Sequence, residues 1–409
     1  MALSVAAARR RRAPLMALAI VALLVGLWGG LIRLGLSLPA VVTSAGELHG
    51  PLMAFGFLGT LVSLERAVAL ERSWAYIAPL AAGAGTVAAL AGAPGSLGPA
   101  LLTLAGCVLL TAHLVLHRLQ PSAHNAVMGL GALGWCAAAA LWLTGADVSS
   151  FAPLMAGFLV LTIVGERLEL TRAMHRSRHV RRLLVIAVAV FAAGLAVSVF
   201  AERAGVRIAG LGLVAQAAWL ARYDAARRTV RMRGVTRFMA LALLAGYAWL
   251  ACAGVLWTAF AALNDGPAYD ASLHAVFLGF VMSMVFAHAP VIVPAVLRLP
   301  LPFHRGFYAH LALLHVSLAV RLIGGDLLGI TVLWQWGGIA GEAAILLFLA
   351  TTATAAARAR RTRRRPRDAT APPTTAAIGV ARERPGVGAP APGRHRQAAR
   401  AKRVDPVRR

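Results

Sequence analysis

Stretches of about 20 mostly apolar residues recur from one end of this chain to the other, each long enough to cross roughly 30 Å of hydrocarbon as a helix rising about 1.5 Å per residue. Lipid offers no hydrogen-bond partner to a free backbone amide, so such segments must satisfy their peptide groups within helices or in a closed barrel. The runs are continuously apolar and do not alternate as barrel strands do, which selects helices. They fall at 13–36, 49–70, 74–93, 97–118, 123–144, 150–168, 180–201, 205–221, 235–262, 271–297, 305–325 and 328–357, about twelve spans in all. Of the 409 residues 59% are hydrophobic and 14% charged, more apolar than a water-soluble core of this length requires. The expected fold class is an all-α integral membrane protein, with a transmembrane domain at 13–357 between a basic N-terminus at 1–12 and a basic tail at 358–409.

The formal net charge of +26 lies almost entirely in loops and tails. In a soluble protein it would suggest nucleic acid; between spans it is explained by retention of Arg on the cytoplasmic side, and no nucleic-acid partner is expected. Loops holding Arg66 and Arg72, Arg172 to Arg182, Arg222 to Arg237, and Arg298 to Arg305 are basic, whereas those around Thr43, Asp147, Asp265 and Asp326 are short and poor in Arg. A nearly neutral loop carrying Glu202, Arg203 and Arg207 is the exception. The pattern places both termini in the cytoplasm of a bacterial-type inner membrane. The apolar run after Arg9 to Arg12 is too long for a cleaved signal and reads as an uncleaved first span. From Arg358 the chain loses hydrophobic periodicity and is expected to be disordered, touching the anionic headgroups of the lipid bilayer, with no protein partner indicated. Cys107, Cys136 and Cys252 lie inside apolar runs and read as small core residues, without a disulfide framework.

The strongest organisational signal is self-similarity. The segment PLMAFGFLGTLVSLERAVALER from Pro51 returns as PLMAGFLVLTIVGERLELTR from Pro153 with one residue deleted, matching Glu65-Arg66 to Glu166-Arg167. A weaker echo opens span ten, where Leu273, His274 and Phe280 lie over Leu48, His49 and Phe55. Spans two, six and ten therefore suggest three units of four helices. Two places before the shared proline stands His49 in the first unit but Phe151 in the second, so the fold does not need histidine there. Histidine returns in the third unit as His274. Two imidazoles could then face one another at one depth near the outer surface, and neutral imidazole in an apolar bundle is a natural ligand of haem iron or copper. Interfacial histidines bonded to backbone or water are the plainer alternative.

The run from His49 to Phe57 resembles the start of the second span in the NnrS family, twelve-span bacterial membrane proteins associated with haem, copper and nitric oxide stress. Of that family's pattern H-x-H-E-M-x-F-G-F, His49, Met53, Phe55, Gly56 and Phe57 match, while Pro51 and Leu52 stand where a second His and a Glu are expected. His274-Ala275 followed by Gly279 is similar to the family's later histidine-bearing span, with Leu297 in the place of a further histidine. More distantly, the layout resembles subunit I of the haem-copper oxidases, whose twelve helices form three four-helix units with low-spin haem ligands on spans two and ten. Span six here has no histidine and span seven lacks the adjacent pair that helps bind copper in the oxidases. The resemblance implies a membrane haem protein, with copper as a second candidate, in nitric oxide stress or respiratory redox physiology, and does not imply oxygen or nitric oxide reduction by the oxidase mechanism.

Other polar residues fall inside the apolar runs. His288 shares a face of span ten with His274, and His310 and His315 approach a similar depth from span eleven, which makes them candidates for an inner metal site; a structural histidine beside the bends at Pro290 and Pro294 is the rival reading. Arg33 and Arg321 sit near outer ends of spans, where they could pair with haem propionates or snorkel to the interface. Glu342 is a carboxylate inside span twelve that must be protonated, paired or wet, with Arg321 or Arg33 as partner. His113, His117, His124, His175 and His179 read as solvated ends, and Glu65-Arg66 and Glu166-Arg167 as interfacial pairs. No nucleotide loop, hydrolase serine or paired-carboxylate constellation identifies a reaction. Internal repeats, kinked spans and buried polar groups also suit a secondary transporter, and a non-catalytic metal or haem assembly factor would carry the same histidines.

Overall fold

The long apolar runs close their backbone hydrogen bonds internally, as segments without access to water must. The computed structural model describes residues 2–39, 44–93, 95–173, 177–261, 264–297 and 300–364. Among them twelve helices are long and apolar enough to cross a membrane: α1 Arg12–Arg33, α2 His49–Leu70, α3 Ser73–Leu90, α4 Leu97–Leu119, α5 Ala123–Leu143, α6 Val148–Leu170, α7 Arg178–Ser198, α8 Glu202–Tyr223, α9 Gly234–Phe260, α10 Gly266–Val296, α11 Phe307–Leu327 and α12 Thr331–Ala359. No strand occurs among the described residues, and the chain is a multi-pass, all-helical membrane protein. Two helices run beyond their membrane-crossing parts. The first helix already begins at Ala2, inside the segment read as a separate N-terminus, and the last continues to Arg364, past the boundary at 357. Thr43, His175, Arg298 and the tail beyond Arg364 lie outside the described residues.

Local sequence explains several helix ends. The Ser177 hydroxyl accepts the Val180 amide at 3.3 Å and caps α7. Pro267 occupies the first turn of α10, where a missing amide costs nothing. Glu71 takes up the left-handed region at φ 56° and stops α2.

Among the described residues three spans contain π-helix. α2 opens as an α-turn over His49–Pro51 and widens into π-helix over Leu52–Gly59, α10 does the same over Ala275–Val281 directly after His274, and α11 over Val320–Leu327. α6 is regular from Val148 to Ala173. A π-turn bonds i to i+5 and so accommodates one residue more than an α-turn. The repeat supplies that residue: Phe55 lies between PLMA and GFL in α2, where α6 runs from Ala156 straight to Gly157.

Neighbours in sequence pack against each other, and α6 lies against both α2 and α10. α6 is the most buried of the twelve. Phe55, Trp135 and Phe158 stack in its vicinity with ring centres 5.5 and 4.8 Å apart. Leu80, Ile186, Leu211, Val255 and Val316 stay exposed along the outside, as lipid-facing side chains would. Cys107 is exposed there too rather than in the core, with its sulfur 3.8 Å from that of Cys136.

Candidate functional site

His49 opens α2 and His274 ends the first α-helical stretch of α10, each immediately upstream of its π-segment. The two sequence-predicted imidazoles come together: their ring centres are 6.5 Å apart and their planes 20° from parallel. Both line a cavity of about 210 Å³. Its apolar wall includes Leu27, Phe277 and Ile345, its thioethers are Met53, Met155 and Met282, and Arg33, Asp270, Arg321 and Glu342 also reach it.

The outer partners of the two rings fix their tautomers. His49 Nδ1 lies 2.7 Å from the Gly26 carbonyl of α1, and His274 Nδ1 2.8 Å from the Asp270 carbonyl one turn earlier. A carbonyl oxygen can only accept, so each Nδ1 carries a proton, and in the neutral ring the lone pair is then on Nε2. Among the described residues neither Nε2 has a hydrogen-bond partner, and neither is sealed from the cavity. This is the arrangement a metal-ligating histidine requires. Gly30 makes room for it, because a Cβ there would collide with Glu342 Oε1 and stand 3.1 Å from His49 Cε1.

Arg321 is placed otherwise than expected. Its Nε and Nη2 grip Asp270 through three contacts of 3.0, 3.0 and 2.8 Å, and its guanidinium lies 5.2 Å over the Trp334 ring, whose Nε1–H also donates to Asp270. Asp270 takes up Nε and Nη2 and leaves Nη1 clear of that carboxylate, and Arg321 lines the cavity. Arg33 lines the cavity and has no ion-pair partner among the described residues, and Glu342 is bonded to neither arginine. Asp270 and Trp334 are the residues that sequence reasoning missed. The i, i+4 spacing of Asp270 and His274 was the available signal.

The inner histidines do not converge. His288 bonds through Nδ1 to the Met284 carbonyl at 2.6 Å and receives Arg167 Nη2 on Nε2 at 2.6 Å, so both nitrogens are occupied and a cation stands where a metal would. His310 is enclosed by Phe238, Phe286, Phe307 and Phe348, with Thr351 at 3.3 Å from Nδ1. His315 Nδ1 accepts from Trp249 Nε1 at 3.0 Å. Among the described residues no group of three or more His, Cys, Asp and Glu side chains is set to hold a metal. Glu65-Arg66 and Glu166-Arg167 are not two separate interfacial pairs: Arg66 reaches Glu65 at 2.6 Å and Glu166 of α6 at 3.2 Å, while Arg167 turns to His288 of α10. His113 and His124, expected at solvated ends, are buried, whereas His179 is exposed.

Residues 12–357, the whole membrane region, match the family described as Domain of unknown function (DUF8744), and the chain belongs to that family. No curated protein matches it.

Proposed function

We propose that this member of the DUF8744 family is a membrane haem protein in which His49 and His274 would hold the iron. The observation that carries the reading is the pair of imidazoles at the head of two π-distorted spans, each tied back through Nδ1–H to a carbonyl and each with its Nε2 free on a common cavity. Two such nitrogens bonded at about 2 Å to one iron, each about 1.1 Å in front of its ring centre, would set the centres about 6.2 Å apart. The separation of 6.5 Å fits that spacing. Arg33, without an ion-pair partner among the described residues, is the cation best suited to an acidic substituent of the group. Bound there, haem would supply one-electron redox chemistry, in keeping with the nitric oxide or respiratory physiology that the NnrS-like motif implies.

The same likeness motivates three four-helix units of the haem-copper oxidase kind, a layout supported by the contacts of α6 with α2 and α10. Basic loops support an inner-membrane orientation with both termini in the cytoplasm. A second reading is favoured by Met53, Met155 and Met282 on the walls of the same cavity, because thioether and imidazole together suit copper(I).

Protein purified from haem- and copper-replete cells should show a low-spin Soret band with stoichiometric haem, and His49→Ala and His274→Ala should each abolish the low-spin form. Colourless protein carrying copper would replace haem by the second reading. Colourless, metal-free protein would remove both, leaving the transporter and assembly-factor alternatives to assays of substrate flux.

A further inference from the structure

The two imidazoles are held unequally. Among the described residues His49 relies on one bond, to the Gly26 carbonyl, and no carboxylate lies within hydrogen-bond distance of it. His274 donates to the Asp270 carbonyl at 2.8 Å and has the carboxylate of the same residue 3.3 Å from Nδ1. That carboxylate is itself immobilised by Arg321 and by Trp334, whose Nε1 stands 3.3 Å from Oδ2. Gly338 of α12 lets the clamp close, since a Cβ there would stand 2.6 Å from Arg321 Nη1. Three side chains, one each from α10, α11 and α12, thus end on one ring.

We infer that Asp270 is a positioning residue that makes His274 the anchoring ligand of the pair, with Arg321 and Trp334 as its clamp and His49 as the more weakly held partner. The inference rests on the haem reading of the cavity. A carboxylate behind Nδ1–H raises the basicity of the ligating nitrogen and fixes the ring's orientation. A more basic imidazole favours the ferric over the ferrous state. Removing the carboxylate therefore weakens retention and raises the reduction potential together.

The test compares single variants of the full chain, reading haem content, haem transfer to apomyoglobin and the midpoint potential. His49→Ala should keep haem in a five-coordinate form, whereas His274→Ala should lose it. Asp270→Asn should release haem about 10- to 100-fold faster, the usual cost of a lost outer partner. A tenfold fall in the preference for the ferric state would raise its potential by about 59 mV. Trp334→Phe removes one donor from the carboxylate and leaves the ion pair, so the carboxylate pulls harder on Nδ1–H and the potential should move the opposite way, downward and by less; this variant remains readable if Asp270→Asn fails to fold. Wild-type potentials in Asp270→Asn and Trp334→Phe, or haem kept by His274→Ala and lost by His49→Ala, would overturn the inference. A wild-type protein without haem would instead overturn the reading beneath it.

Discussion

Arg66 serves two carboxylates at once, Glu65 on its own helix and Glu166 across the interface to α6, with side chains 14%, 29% and 23% exposed. A buried ion pair adds little net stability when complete but is costly to break, because the surviving charge stays desolvated. Arg66→Ala strands two carboxylates and should destabilise the protein by about 3 kcal/mol, the lower end for buried pairs given the partial exposure. Glu65→Gln leaves Arg66 its bond to Glu166 and should cost much less. Thermal unfolding of detergent-solubilised protein reads the difference, and equal midpoints for the two variants would show that the shared guanidinium does not hold α2 to α6. The residues of this network were legible as a repeated Glu-Arg pair, but its connections were not. Adjacent residues on a helix point about 100° apart, so each member of such a pair is free to find a different neighbour. Arg167 finds His288, which takes up the nitrogen that a metal at that histidine would need. The outer pair was easier to read because one histidine had to be spared by the fold: Phe151 stands at the matching place in α6, fully buried. The Gly26 carbonyl and the Arg321–Trp334 clamp come from other spans and left no local mark.

At the scale of the element, a single residue separates the span that carries a histidine from the one that does not. Phe55 extends α2 relative to α6, and α2 absorbs it as a π-segment just below His49. Deleting Phe55 should let the segment revert to α geometry, since the flanking PLMA and GFL then join as they do in α6. The turn preceding the deletion would rotate by about 100° against the rest of the span. His49 would swing away from His274 while the lower part of α2 kept its packing. The expected result is a folded protein at near wild-type yield without the low-spin spectrum; an unchanged spectrum would mean that the π-segment does not aim the imidazole. The one-residue offset was visible in the repeat, yet its consequence was not, because an insertion can equally be taken up in a loop. Where it goes depends on the proline that starts the helix and on the Trp135–Phe158 stack against which Phe55 packs.

The molecule as a whole keeps its two polar regions at opposite ends of the same helices. From His49 to Arg66 the chain rises about 25 Å at roughly 1.5 Å per residue, most of a bilayer core. The paired histidines lie beside the Arg-poor connections before α2 and α10, and the Arg66 network beside the Arg-rich ones. Carrying one positive charge outward against a membrane potential costs about 2.3 kcal/mol per 100 mV, and arginines gather at the start of α7, as Arg178, Arg181 and Arg182, and in the connection after α8, as Arg227, Arg228, Arg231 and Arg233. The proposed orientation, which leaves these inside, would put the cavity on the outer side. Alkaline phosphatase, active only outside, should therefore be active when fused after Gly145 between α5 and α6 and inactive when fused after Arg233 between α8 and α9. The reverse pattern would turn the cavity to the cytoplasm and remove the periplasmic side of the proposed chemistry, even if the two histidines still held their group.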